Sequence, residues 1–268
     1  MTDHYAVVGH PISHSKSPLI HAEFARQTRQ DLIYSRLLAP MDGFAEVVEA
    51  FRAGGGAGMN VTVPFKEQAF ALATRKTARA QSAGAVNTLK FERGGILGDN
   101  TDGAGLARDL TGNLGIAIKG KSVLLMGAGG AARGVIEPLL QEHPAALVLV
   151  NRTSEKAEQL VQLFDKQITA CGYGDLGGLR FDIVINATSA SLAGHIPELP
   201  PTIFAPNALA YDMMYGLETA FMSWARTHGT SRIADGLGML VEQAAESFYI
   251  WRGVHPDTRT VISQLRQS

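Results

Sequence analysis

The sequence predicts an α/β protein of two domains, and three observations carry that expectation. Strand-like and helix-like segments alternate along nearly all of the 268 residues, the order that builds parallel-rich sheets covered by helices. Residues 122–126, followed by Gly127-Ala128-Gly129-Gly130-Ala131-Ala132, read as a buried strand, a glycine-rich turn and a helix start. That is the opening of a doubly wound, Rossmann-like unit. The unit begins near mid-chain, with a separate strand–helix block before it and two helices after it.

In the first block the pattern gives a strand at 5–9, a helix at 18–28, a strand at 32–38, a helix at 43–53 and a strand at 58–63. A helix at 64–73 and strands at 86–92 and 95–99 follow, and a helix near 103–113 leads into the second block. There, strands fall near 122–126, 146–151, 168–171, 182–186 and 208–212. The helix after the glycine turn carries Ala132, Val135, Ile136, Leu139 and Leu140, a spacing that buries one face. Pro138 lies inside it and is expected to kink it or end it early. Gly236 opens a long helix with Leu237, Leu240, Val241, Ala244, Ala245 and Phe248 on one face, and a final helix covers about 256–266. The expected partition is a substrate-binding domain, 1–101 completed by 237–268, and a dinucleotide-binding domain, 102–236. Substrate is expected in the cleft between them, where sites concentrate.

Composition narrows the partners. A net charge of −1 offers no electrostatic footprint for nucleic acid or an anionic membrane, and no apolar run approaches a membrane span. One cysteine, Cys171, excludes an internal disulfide and any Cys-based zinc site. The first strand begins at Tyr5 without a signal-peptide pattern, so a cytoplasmic protein is expected.

The glycine turn points to a dinucleotide. Gly127 permits a tight turn, Gly129 lets backbone approach phosphate, and Ala132 keeps the helix close to its sheet. The next strand ends not in an acidic residue, which would bond the ribose hydroxyls of NAD, but in Asn151-Arg152-Thr153. Arg152 suits a 2′-phosphate, so the expected cofactor is NADP. Two charge-assisted hydrogen bonds of about 1.5–3 kcal/mol each would favour NADP over NAD by about 10²–10⁴-fold. The competing reading is the same fold with no cofactor.

Polar residues cluster at strand ends of the first block. Ser17 reads as an N-cap and Pro18 as a first helical residue, which places the Ser15 and Ser17 hydroxyls beside free N–H groups that suit a small carboxylate. Plain capping explains Ser17 equally. Asn60 and Thr62 share one strand face, a cleft wall or a solvated face. Lys66 falls in a first helical turn, where the dipole disfavours a cation. It reads as a surface lysine or as a proton-transfer group with a depressed pKa. Asp102 reads as an N-cap or as the partner of Lys66, and Asn87 as a lone polar residue in a small, apolar setting. Met213 and Tyr215 lie at a strand's carboxyl end, and Gln243 off the apolar stripe of its helix. For all three, packing or solvation competes with function. His10 and His14 are four apart across Pro11, which breaks helical spacing, so no metal site is expected.

Taken in order, the words 13–18 (Ser-His-Ser-Lys-Ser-Pro), Asn60-Val-Thr-Val-Pro-Phe-Lys66, Ala85-Val-Asn-Thr88 and Asn100-Thr-Asp102-Gly closely resemble the shikimate dehydrogenases. So do Gly127-Ala-Gly-Gly-Ala131, Asn151-Arg-Thr153, Tyr211-Asp-Met-Met-Tyr215 and Asp235-Gly-Leu-Gly-Met239, and the likeness runs nearly end to end. The resemblance implies reversible NADPH-dependent reduction of 3-dehydroshikimate in aromatic amino-acid biosynthesis. It also implies that Lys66 and Asp102 flank the reacting oxygen. By the same resemblance Ser15, Ser17 and Tyr215 hold the substrate carboxylate, and Thr62, Asn87 and Gln243 contact ring hydroxyls or carboxylate. The turn Gly127, Ala128, Gly129, Gly130, Ala131, then Asn151, Arg152, Thr153 and Lys156, with Met213 and Gly236, match cofactor contacts. One departure is Ala220, where the family often has proline; it bears on a turn rather than on the site. Two rival readings remain: a broader quinate/shikimate dehydrogenase using NAD, and a non-catalytic NADP-binding regulator, expected to lack Lys66 or Asp102. A small-molecule substrate and a monomer or homodimer are expected.

Overall fold

A computed structural model describes residues 2–164, 168–188, 190, 194–195 and 198–267. The chain divides into two compact units, Met1–Gly105 with Leu240–Ser268, and Leu106–Met239.

The first unit is built on β1 (Asp3–Gly9), β2 (Leu32–Leu38), β3 (Gly56–Val61), β4 (Arg75–Lys76), β5 (Thr88–Glu92) and β6 (Gly95–Asp99), ordered β2-β1-β3-β5-β6-β4. Strands β1, β2 and β3 run parallel, whereas β5 pairs antiparallel with both β3 and β6. The sheet is thus parallel-rich but mixed, because β5 and β6 form a hairpin across Arg93-Gly94. Alternation along β1 sorts its side chains. Ala6 and Val8 join Phe44, Val48 and Phe65 in one apolar layer, while Tyr5 stacks on Trp251 at 4.6 Å on the other side. That second layer is closed by α1 (Ser17–Thr28), α9 (Leu237–Arg252) from Leu240 onward, and α10 (Thr258–Gln267), through Ile20, Phe24, Val241, Phe248 and Val261. The other helices of the unit are α2 (Phe44–Ala53), α3 (Lys66–Leu72), α4 (Ala78–Ala83) and the start of α5 (Asp102–Arg108).

His21 is buried in this layer, stacked on Tyr34 at 4.1 Å, and neither ring nitrogen has a hydrogen-bond partner among the described residues. Burial pushes its imidazole down to about 3, against a smaller opposing effect of nearby Asn60. It is an uncharged packing group.

The second unit carries β7 (Ser122–Met126), β8 (Ala146–Val150), β9 (Ile168–Cys171), β10 (Phe181–Asn186), β11 (Phe204–Asp212) and β12 (Arg232–Asp235), all parallel, ordered β12-β11-β10-β7-β8-β9. Counted within the unit this is the 3-2-1-4-5-6 order of a dinucleotide-binding sheet, with its switch point between β7 and β10. Strand β7 is buried on both faces. Val123 and Leu125 pack with Val135 and Ile136 of α6 (Gly130–Gln141), and Leu124 and Met126 with Phe221 of α8 (Ala220–Thr227). A further helix, α7 (Ser154–Val161), follows β8.

Several expected boundaries shift. Strand β3 ends at Val61, so Thr62 and Val63 lie beyond it rather than continuing its alternation. Ser17 is the first helical residue of α1 rather than its cap; Lys16 holds the cap position without a side-chain bond. Asp102 likewise opens α5 instead of capping it. Helix α6 runs on through Pro138 to Gln141, so the proline does not end it early.

Candidate functional site

In the first unit, the strand ends converge on a pair of opposite charges. Phe65, fully buried and stacked on Phe44 at 5.0 Å, anchors the entry to α3, and Lys66 follows as its first residue. The Lys66 backbone is tied by the Val86 N–H donating to its carbonyl at 2.9 Å. Its Nζ lies 2.5 Å from Asp102 Oδ2, both side chains partly covered. Asp102 is aimed by Asn100, whose Oδ1 accepts the Asp102 N–H at 3.1 Å and whose amide donates to Ala85 O at 3.1 Å. Asn100 is itself held through Asp99, which Arg79 grips with two hydrogen bonds at 2.6 and 2.8 Å.

The second oxygen of Asp102 accepts from Asn87 Nδ2 at 2.9 Å. Asn87 is buried, and its setting is polar, not apolar as its chain neighbours Ala85 and Val86 led us to expect. Thr101 N–H and Thr88 Oγ1 donate to its Oδ1 at 2.9 and 2.8 Å. Gln243, on α9, donates to the carbonyl of Leu240 at 2.8 Å, which turns its Oε1 toward Asn87 Nδ2 at 3.3 Å. Lys66, Asp102, Asn87 and Gln243 therefore form one connected set.

The serine pair connects to this set through Tyr34 and Asn60. Ser15 Oγ donates to Ser17 Oγ at 3.2 Å and accepts the Ser17 N–H at 3.3 Å, while Arg36 of β2 donates to the Ser15 carbonyl. Ser17 faces the buried Tyr34 hydroxyl, which donates to Asn60 Oδ1 at 2.7 Å. Thr62, half-buried, is fixed through its backbone N–H to Val8 O at 3.0 Å. Asn60 is not a cleft wall: it is buried under α9, with its amide donating to Ser247 Oγ at 3.0 Å.

In the second unit the candidate cofactor residues present mostly backbone. Gly127 sits at φ +108°, a conformation that favours glycine, and leads to Ala128, Gly129, Gly130 and Ala131 at the uncapped start of α6. Space around Gly129 and Gly130 is open, and Gly129, Gly130 and Ala131 are exposed. Free N–H groups at a helix start beside open space fit a pyrophosphate. At the end of β8, Asn151 Nδ2 donates to Thr153 O at 2.9 Å, and Arg152, Thr153 and Lys156 are exposed beside it, a donor set that fits a phosphate monoester. Met213 is pinned by its N–H to Asn186 O at 2.9 Å, and buried Asp212 accepts from Thr219 Oγ1 at 2.6 Å, Asn186 Nδ2 at 3.0 Å and the Met214 N–H at 3.0 Å. Gly236 closes against that loop: a Cβ there would lie 2.2 Å from Met213 O. Tyr215 follows, half-buried, its hydroxyl pKa raised by burial. Among the described residues no three His, Cys, Asp or Glu side chains converge as a metal site. No helix among them is long and apolar enough to cross a membrane.

Sequence reasoning missed Thr88, Asn100, Thr101 and Ser247 as supports, and it read Asn60, another support, as a cleft wall or solvated face. The Asn100-Thr101-Asp102-Gly103 turn is the one place where local chemistry advertises such a role, since Asn side chains bond backbone two residues on.

Comparison with known proteins finds matches along nearly the whole chain. Residues 7–89 match the model described as the shikimate dehydrogenase substrate binding domain, 106–194 that of shikimate / quinate 5-dehydrogenase, and 236–266 that of the shikimate 5'-dehydrogenase C-terminal domain. The shikimate dehydrogenase (NADP(+)) of Nitrosospira multiformis is 60% identical over 271 residues, covering 100% of this chain and 98% of that relative. Among solved structures, an Ael1 enzyme from Pseudomonas putida is similar at TM-score 0.95 and 51% identity, covering 98% of both chains. Shikimate 5-dehydrogenase from Thermus thermophilus, solved in complex with NADP(H) and shikimate, is similar at TM-score 0.87 and 30% identity over 99% of both chains.

Proposed function

The chain belongs to the shikimate dehydrogenase family, and from that membership we propose that Lys66 and Asp102 are the groups at the reacting oxygen. It is an NADP-dependent oxidoreductase that interconverts 3-dehydroshikimate and shikimate, the family's step in aromatic amino-acid biosynthesis. The observation that carries the assignment of roles is the Lys66 Nζ to Asp102 Oδ2 contact at 2.5 Å, with the other Asp102 oxygen engaged by Asn87.

Bound NADPH supplies the hydride for reduction, and NADP⁺ takes it up in the reverse direction. As a ketone is reduced, negative charge grows on its oxygen. A protonated Lys66 stabilises that charge and delivers the proton; in the oxidation direction the amine takes it back. Asp102 holds the ammonium and orients the substrate hydroxyl. Asn87, Gln243 and Thr62 meet ring hydroxyls, and Ser15, Ser17 and Tyr215 the carboxylate. Gly127, whose own N–H is spent on the Val150 carbonyl at 2.8 Å, shapes the turn, and the N–H groups of Ala128, Gly129, Gly130 and Ala131 receive the pyrophosphate. Asn151, Arg152, Thr153 and Lys156 receive the 2′-phosphate, with Met213 and Gly236 as further cofactor contacts. Residues 1–101 with 237–268 are then the substrate-binding part and 102–236 the NADP-binding part. A cytoplasmic location and a monomer or homodimer complete the reading; light scattering on the eluted protein decides the last point.

Steady-state oxidation of shikimate and quinate, each with NADP⁺ and NAD⁺, tests this function. Turnover confined to shikimate with NADP⁺ is expected. Comparable quinate or NAD⁺ turnover would move the protein to the broader quinate/shikimate group, and NADP⁺ binding without turnover to a regulator.

A further inference from the structure

Asn87 can help Asp102 only if its NH₂, and not its oxygen, faces the carboxylate. The two ends of an amide have nearly the same shape, so partners decide the orientation. The Thr101 backbone N–H, which can only donate, points at Asn87 Oδ1 from 2.9 Å, and Thr88 Oγ1 occupies the same oxygen from 2.8 Å. A hydroxyl has a single proton; the Asn87 oxygen, which can only accept, takes that of Thr88, and a second amide fills a lone pair of the same hydroxyl. Asn60 Nδ2 donates to Thr88 Oγ1 at 3.1 Å, and Asn60 cannot flip because the same nitrogen donates to the Asn87 backbone carbonyl at 3.1 Å. Ser247 Oγ, one turn beyond Gln243 on α9, closes the cluster at 2.7 Å from Thr88 Oγ1, and with the Thr88 proton on Asn87 it is Ser247 that donates in that contact. Thr88 and Ser247 are both fully buried. The donation runs one way, from Asn60 through Thr88 to Asn87 and on to Asp102 Oδ1.

We infer that Thr88, which lies behind Asn87 on β5 and has no part in the proposed substrate contacts, is a positioning residue for the reaction: its hydroxyl fixes the Asn87 amide and through it the aim of Asp102 toward Lys66. The inference rests on the proposed roles of Lys66 and Asp102. It also explains why α9 presents a serine rather than an apolar residue to the sheet at 247. Without an acceptor and donor there, Thr88 and the Asn60 amide would meet apolar surface.

Thr88→Val removes the hydroxyl and keeps the shape. With shikimate and NADP⁺, kcat is expected to fall about 10–100-fold while KM for shikimate changes by less than about threefold, since a misaimed group costs rate rather than affinity. Thr88→Ser restores the hydroxyl and is expected to keep kcat within about threefold of the parent. NADP⁺ affinity, measured by titration calorimetry, is expected to be unchanged in both variants. A valine variant with the parent kcat overturns the inference. So does a serine variant as slow as valine, which would make the methyl group the important part, or a parallel loss of NADP⁺ affinity. If the valine protein does not fold, Thr88→Ala carries the same comparison against serine. Lys66→Ala, assayed alongside, separates the two layers: if it keeps the parent kcat, the proposed roles fail, whereas a slow Lys66→Ala beside a normal Thr88→Val removes only the inference.

Discussion

The two units prepare for their ligands in opposite ways. In the first, the candidate residues are side chains held by other side chains: Asp102 by Asn100 and Asn87, Asn87 by Thr88 and Thr101, Gln243 by a backbone carbonyl. In the second, the candidate surface is mostly backbone, a glycine turn at a helix start, with Arg152 and Lys156 exposed and free to adjust. The difference follows from what each must do. A proton is passed over a fraction of an ångström, so its carriers must be aimed. A pyrophosphate is a diffuse charge that several N–H groups can share. Precision is concentrated where a bond changes, and tolerance where a cofactor must enter and leave.

The comparison breaks most readily at Lys66. Replacing it by alanine is expected to lower kcat by about 10²–10⁴-fold, with KM for shikimate little changed. A large rise in KM at constant kcat would make Lys66 a binding residue and erase the contrast. Next is Arg152→Ala, expected to raise KM for NADP⁺ about 10–100-fold and leave activity with NAD⁺ at the parent's level, as one or more charge-assisted hydrogen bonds are lost. An equal loss with both cofactors would show that Arg152 does not read the 2′-phosphate.

A smaller effect tests the backbone-built side. Gly236→Ala places a Cβ about where Met213 O lies, 2.2 Å away. Overpacking of this kind is expected to cost about 1–3 kcal/mol of stability and to weaken NADP⁺ more than shikimate binding. Unchanged melting and NADP⁺ affinity would mean that the loop yields freely.

The last prediction depends on pH. His21 has its folded pKa depressed from 6.5 to about 3 by burial, so the unfolded chain binds its proton first. Stability from this group is full above pH 6.5 and is lost as pH falls toward 3, amounting to about 2 kcal/mol at pH 5. His21→Phe, which keeps a ring against Tyr34, is expected to flatten denaturation midpoints between pH 7 and 5. An equally steep decline in the variant would assign the acid lability to other groups.

The elements that sequence made legible are those whose own residues decide them. The β7 strand, the turn at Gly127 and helix α6 announce themselves by an apolar run, a glycine pair and a 3–4 spacing. What stayed hidden owes its form to distant partners. Strand β4 has two residues and exists by pairing with β6, and α4 is a six-residue turn of small and polar side chains capped by Thr77. We also did not anticipate α7, α8 or β12, short segments at the two opposite ends of the sheet order. Pro138 is tolerated inside α6, and Pro18 follows a serine that is helical rather than capping. At the site, Lys66 and Asp102 were visible as residues, but their pairing spans 36 positions of chain and Thr88 meets Ser247 across 159. Apart from Thr88 beside it, the polar surroundings of Asn87 come from Thr101, Asp102 and Gln243, 14, 15 and 156 positions away, so its apolar neighbours Ala85 and Val86 gave the opposite impression.

The central claim is that the first unit's side chains drive the chemistry without contributing to cofactor capture. Stopped-flow oxidation of saturating shikimate by NADP⁺ in Lys66→Ala, over a range of NADP⁺ concentrations, tests it most directly. The account predicts a hydride-transfer rate lower by about 10²–10⁴-fold, with the half-saturating NADP⁺ concentration within about twofold of the parent. A rate close to the parent's would contradict it.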